Sequence, residues 1–141
     1  MTIHQLSIFI ENREGTLVKV LEILKDAGIQ IVASTIADTA DYGIYRMICS
    51  EPQRAYEELH KAGVSVALSD VFALQLDNEP GCCCDAVRII SNSGIAITYM
   101  YTFLLEGKGI MIFRADDTEA TREVILRNSM PYISEEALKM D

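Results

Sequence analysis

Three adjacent cysteines, Cys82, Cys83 and Cys84, follow Pro80-Gly81 in the stretch NEPGCCCDAVRII, residues 78–90. Clustered thiols can hold a soft metal, exchange disulfides or simply pack. Chelation needs side chains that converge, as in C-x-x-C, whereas consecutive helical residues point about 100° apart and do not close on one ion. Neighbouring cysteines cannot bridge each other without strain either, so the thiols read as reduced. His4 and His60 stand alone, without companion ligands. No G-x-S-x-G, P-loop or H-E-x-x-H pattern is present. The expectation is therefore a protein with no catalytic residues, no metal site and no cofactor.

The elements that must position these residues follow from composition and pattern. Half of the 141 residues are apolar or aromatic, enough for a packed core. The net charge of −9 divides as −4 over residues 1–70 and −5 over residues 71–141. That leaves no basic footprint for a nucleic-acid backbone. The longest apolar run, Ile95 to Leu105, falls short of the roughly 18 residues of a membrane span. The first residues carry no basic, apolar leader pattern. A soluble, cytoplasmic protein that binds neither nucleic acid nor membrane is expected.

Shifted by 66 residues, the sequence aligns on itself without a gap. Asn12 falls on Asn78, Gly15 on Gly81, Gly28 on Gly94, Ile29 on Ile95, Ile31 on Ile97 and Gly43 on Gly109. Three of these pairs are glycines where a chain must turn. In the first copy Leu6, Ile8 and Ile10 have strand periodicity, and ENREGT breaks it. Leu17, Val20, Leu21 and Leu24 then form one helical stripe that ends at Gly28. Two strands joined by TADYG follow, then a second helix opened by Ser50-Glu51-Pro52 as cap and first turn, with Ala55, Leu59 and Ala62 inward. VSVALSDVFALQL ends the first copy and begins the second. The order is βαββαβ, twice. The predicted fold is α+β: two ferredoxin-like units in tandem, residues 1–70 and 71–141, with antiparallel sheets and helices on one face.

IENREGTLVKVLEILKDAGIQI and LDNEPGCCCDAVRIISNSGIAI resemble the N-x-P-G-x-L…G-(I/V)-N-I signature of ACT domains, regulatory modules that bind amino acids, and the resemblance spans both halves. It implies a stand-alone tandem ACT protein. Its ligand would be a free amino acid, its assembly a homodimer, and its regulated partner an enzyme encoded separately. The implied ligand-binding residues in the first copy are Asn12, Arg13, Glu14, Gly15, Thr16 and Leu17, with Gln30 from the second strand. In the second copy they are Asn78, Glu79, Pro80, Gly81, Cys82 and Cys83, with Ile95 and Ile97 as apolar wall. Asparagine offers a donor and an acceptor, glycine admits the ligand to the main chain, and free N–H groups at a helix start seat a carboxylate.

Each copy departs from the signature. Glu14 stands where the family prefers proline, and Ala96 where it favours asparagine. Loop and strand combined across an interface, Asn78-Pro80-Gly81 with Gln30, would give one better site per chain. By alignment with Thr16, Leu17 and Val18, the cysteines become a helix's first turn, with Cys83 a small core residue and Cys82 facing the loop. The apolar wall favours an uncharged, apolar or aromatic amino acid. Tyr99, Tyr101 and Phe103 share one strand face and read as packing, with pocket wall as the second reading. The alternatives are an assembly module without ligand and a soft-metal-binding ferredoxin-like protein.

Overall fold

The computed structural model describes residues 1–11, 14–38 and 42–138. It divides into two compact units, His4–Ser69 and Asp70–Leu138, with Met1–Ile3 belonging to the second. The N-terminal unit holds β1 (Ile3–Glu11), α1 (Thr16–Asp26), β2 (Ile31–Asp38), β3 (Tyr42–Cys49), α2 (Pro52–Lys61) and the first part of β4 (Ser65–Leu76). The rest of β4 opens the C-terminal unit, which continues with α3 (Cys82–Asn92), β5 (Ile97–Leu105), β6 (Lys108–Ala115), α4 (Thr118–Arg127) and a short α5 (Glu135–Leu138). The strand order is β2-β3-β1-β4 in the first and β4-β6-β5 in the second. Both are α+β ferredoxin-like units with antiparallel pairing. The closing strand of the C-terminal unit shrinks to a bridge between Tyr132 and Leu74, flanked by Gln75 N–H to Pro131 O (2.7 Å) and Ile133 N–H to Ala73 O (2.9 Å). Pro131 can donate nothing to a ladder, and the strand stays short. No helix among the described residues is long and apolar enough to cross a membrane.

The 66-residue repeat is carried in the register of the paired strands. β1 pairs Leu6 with Met47 and Ile8 with Tyr45; β4 pairs Phe72 with Phe113 and Leu74 with Met111. Irregularities lie between Ile31 and Ala33 and between Ile97 and Tyr99, again 66 apart. Gly28 and Gly94 end α1 and α3 in left-handed conformation, with φ of 72° and 78°. Gly63 does the same after α2 at 81°, but its counterpart is Ser129 at 52°, a conformation that strains a residue with a Cβ.

Each unit has its own core. Val20 and Leu24 of α1 with Ala55 and Leu59 of α2 pack on Leu6, Ile8, Tyr45 and Met47. Ala86 and Ile90 of α3 with Val124 and Ile125 of α4 pack on Phe72, Leu74, Met111 and Phe113. Phe72 and Phe113 also stack, with centroids 5.4 Å apart, a cross-strand pair worth about 0.5–1.5 kcal/mol beyond its buried area. Leu24 and Ile90, 1% and 0% exposed, each contribute roughly 2–5 kcal/mol as judged by truncation to alanine.

Four local readings are corrected by the structure. Ser50 does not cap α2; its Oγ accepts the Gln30 N–H at 3.0 Å, and Glu51 becomes an N-cap residue whose side chain makes no capping bond. Ala62 is the exposed C-cap of α2, where the chain turns away from the core. Cys83 is exposed, because β5 and β6 leave open space where the helix start faces them. The simple alternation read for β1 also gives way: Gln5 and Ser7 are buried with Leu6 and Ile8, and the Gln5 amide donates to Ser7 Oγ at 3.5 Å. The TADYG turn lies largely outside the described residues.

Candidate functional site

The site in the C-terminal unit is built where β4 gives way to α3. Past Leu76 the chain folds tightly: Glu79 N–H bonds to Asp77 O at 2.9 Å and Cys82 N–H to Glu79 O at 3.3 Å. Gly81, with φ 92° and ψ −13°, is the N-cap of α3 and supplies no side-chain cap. Any L side chain there would be strained although the space around it is open. The Asp85 N–H to Gly81 O bond (2.9 Å) opens the helical ladder. The N–H groups of Cys83 and Cys84 precede it and have no intrahelical acceptor, leaving the positive end of α3 available to an anion.

Facing this loop is the β5–β6 hairpin. Its two-residue turn puts Glu106 at φ 51° and Gly107 at φ 78° and pairs Leu105 with Lys108, the arrangement that suits the twist of a two-residue hairpin. Lys108 Nζ thereby reaches Asp77 Oδ1 at 3.1 Å. Both side chains are at least half exposed, so the pair fixes geometry more than it adds stability.

Between loop and hairpin is a cavity of about 320 Å³. Asp77, Asn78, Glu79, Cys82 and Cys83 line it from the loop and helix, and Thr102, Phe103 and Leu104 from β5; Leu76, Gly109 and Ile110 complete it. Its surroundings are chemically mixed, with an apolar part (Leu76, Phe103, Leu104, Ile110), an amide, a hydroxyl, two thiols, the carboxylate of Asp77 already neutralised by Lys108, and that of Glu79. Cys82 also borders a second cavity, of about 410 Å³, shared with Asp85, Ile89, Asn128 and Met130.

Four residues expected at a binding site thus share one cavity: Asn78, Glu79, Cys82 and Cys83. Pro80 and Gly81 shape the loop and are exposed. Ile95 is buried in the core, 6% exposed, and Ile97 packs against that core. In the N-terminal unit Asn12 and Arg13 lie outside the described residues. Glu14 and Gly15 form an exposed turn before α1. Thr16 donates its hydroxyl to Glu11 O at 2.8 Å, and Leu17 packs at the margin of the core. Gln30 is held by its backbone to Ser50 (Ser50 N–H to Gln30 O, 2.9 Å) and lines a cavity of about 560 Å³ with Val18, Leu21, Glu22, Lys25 and Ile31. Sequence reasoning passed over Asp77, Thr102, Leu104 and Lys108. The Glu-Gly turn after Leu105 was the available signal, because a hairpin there must carry Lys108 back toward the end of β4.

The fold recurs in known proteins. The family model of the ACT domain pair matches residues 1–140. The chain belongs to that family. The ACT pair is similar to protein BT0572 from Bacteroides thetaiotaomicron, at 32% identity and a TM-score of 0.94, covering 100% of this chain and 98% of that one. It also shares its fold with the regulatory subunit of aspartate kinase from Thermus thermophilus in ligand-free form (16% identity, TM-score 0.63, 88% and 91% covered). The same subunit from Thermus flavus gives 18% identity and a TM-score of 0.60, with 88% and 90% covered. No curated protein matches the ACT pair by sequence.

Proposed function

We propose that this ACT pair binds a free amino acid in the cavity between the β4–α3 loop and the β5–β6 hairpin, and acts as a regulatory sensor rather than an enzyme. The observation that carries the reading is the uncapped start of α3 opening beside a cavity of about 320 Å³ that also holds Asn78 and Glu79. A carboxylate fits the free N–H groups of Cys83 and Cys84. An ammonium fits the Glu79 carboxylate, and the Asn78 amide can orient either group. Phe103, Leu104, Leu76 and Ile110 favour an uncharged, apolar or aromatic side chain. The similarity in fold to regulatory subunits of aspartate kinase supports a regulatory role exerted on a separately encoded enzyme. In the N-terminal unit Asn12, Arg13, Glu14, Gly15, Thr16 and Leu17 belong to the same proposal as a second, poorer set, and Gln30 as a polar group at the start of the second strand.

A homodimer completes the reading. β5 ends the strand order of its unit, and from Ile97 to Leu105 it carries no charged residue. Strands at the end of a sheet are ordinarily guarded by charge, so an uncharged one calls for cover. Light scattering at micromolar concentration should show twice the 15.7 kDa chain mass. The ligand test is a thermal-shift screen of the twenty amino acids, followed by calorimetry. Stabilisation by an uncharged amino acid is expected; tight binding of aspartate or lysine would overturn the wall, and no binding at millimolar concentration would overturn the sensor.

A further inference from the structure

The cysteines of α3 are left unexplained by packing. Cys83 sits where the N-terminal copy has Leu17 at the margin of its core, yet it is exposed and opens on the cavity. Cys82 is half-buried between two cavities, and Cys84 is exposed with its sulfur accepting a contact from Arg88 Nη2 at 3.5 Å. The repeat shows that the fold accepts Thr16, Leu17 and Val18 at these three places. Packing alone therefore does not call for sulfur. No group of three or more His, Cys, Asp or Glu among the described residues is placed to hold a metal ion. What remains is thiol chemistry, and its direction is constrained. Consecutive helical cysteines cannot close on each other, so a disulfide formed here must take its second sulfur from outside the helix.

We propose that Cys83 is a site of mixed-disulfide formation with low-molecular-weight disulfides, the cavity receiving the adduct. The Cys83 thiolate attacks one sulfur of the small disulfide; the new Cys83 S–S bond forms as the old S–S bond breaks, and the other half leaves as a thiolate that takes up a proton. No further oxidant is required, and a free thiol reverses the step. Access separates the three sulfurs. Cys82 is half-buried, and Cys84 does not line the 320 Å³ cavity, so its adduct would find no seat there. Cys83 alone combines exposure with a place on that wall, among Asn78, Glu79 and Phe103. An adduct at Cys83 occupies the space proposed for the amino acid. The modification itself does not depend on that reading.

The test treats the folded, full-length protein with oxidised glutathione and follows it by intact-mass and peptide mass spectrometry. One adduct per chain is expected, on Cys83, reversed by dithiothreitol and lost in Cys83→Leu, which carries the residue of the other copy. Circular dichroism checks that this variant is folded, and Cys84→Val, which retains Cys83, should keep the adduct. Equal labelling of Cys83 and Cys84, an adduct that survives Cys83→Leu, or no adduct at all overturns the proposal. If the adduct forms on Cys83 while no amino acid binds the unmodified protein, the thiol site stands and the sensor reading falls.

Discussion

Replacing Asn78 by alanine separates binding from folding. The side chain is exposed, lines the cavity and lies in the loop rather than in either core. Its loss should therefore change the stability of the free protein by less than about 0.5 kcal/mol, as for surface positions generally. A hydrogen bond to a bound amino acid is worth roughly 0.5–1.5 kcal/mol, and up to about 3 kcal/mol if the partner is charged. A central value of about 1.4 kcal/mol weakens binding about tenfold. With ligand at about 100 times the wild-type Kd, the stabilisation of about 2.7 kcal/mol falls to about 1.4 kcal/mol in the variant. At roughly 3 °C per kcal/mol, a ligand-induced rise in Tm of about 8 °C becomes about 4 °C. Paired thermal melts with and without the amino acid found in the screen measure both quantities. Melts that fall equally with and without ligand would mean that Asn78 supports the loop and not the ligand, and an unchanged ligand shift would remove the asparagine from the site.

Other consequences test the frame. Ser129→Gly should stabilise the protein by about 1 kcal/mol by releasing a residue held at φ 52°, and Gly63→Ser should cost a similar amount; denaturant midpoints at constant m-value decide both. Asp117→Ala should cost about 1 kcal/mol, because its Oδ1 accepts the Ala120 N–H at 3.0 Å, whereas Glu51→Ala should cost less than about 0.5 kcal/mol, losing only an exposed pair with Arg54. Equal costs in urea unfolding would contradict this difference between the two caps. Cys84→Val should shift stability by no more than about 0.5 kcal/mol, since the side chain is exposed and the bond it loses is a long one, 3.5 Å, from the exposed Arg88.

The repeated frame was legible because it rests on periodicity and on glycines whose backbone geometry few other residues tolerate. Gly15 and Gly81, at φ 85° and 92°, had to coincide in the alignment. So did the apolar stripes that became Leu24 and Ile90. The site was legible only as a loop. Asn78, Glu79, Cys82 and Cys83 could be named because the loop that holds them resembles the family signature. Lys108 was legible only through the Glu106-Gly107 turn that returns it toward the end of β4, and Thr102 and Leu104 not at all, because their place depends on how the β5–β6 hairpin packs beside the loop, which no local pattern records. Cys83 was misread for a related reason: the stripe that buries Leu17 in one copy does not specify how much of the first turn the neighbouring strands cover in the other.

That contrast bears on why one chain carries two copies. Backbone bonds recur in both units, down to Ser50 N–H on Gln30 O and Asp116 N–H on Ala96 O, while Ser50 Oγ accepts the Gln30 N–H and Asp116 Oδ1 accepts the Ala96 N–H. The loops before the main helices have diverged. In the N-terminal copy the Thr16 hydroxyl ties the first turn of α1 back to Glu11 O, satisfying a carbonyl at the end of the strand. In the C-terminal copy a thiol, a much weaker donor, occupies that position, and the loop borders a cavity that Asp77 and Lys108 hold from either side. A hydroxyl at position 82 would recreate the tie: in Cys82→Thr the side chain can donate to Asp77 O, as Thr16 does to Glu11 O. The variant should be stabilised by about 0.5–1.5 kcal/mol, the net worth of one such bond. If the loop must give way to admit an amino acid, its ligand-induced Tm shift should shrink in the same variant. Stabilisation with an undiminished ligand shift would show that the tie and the cavity are independent, and that the divergence of the loops does not set which copy binds.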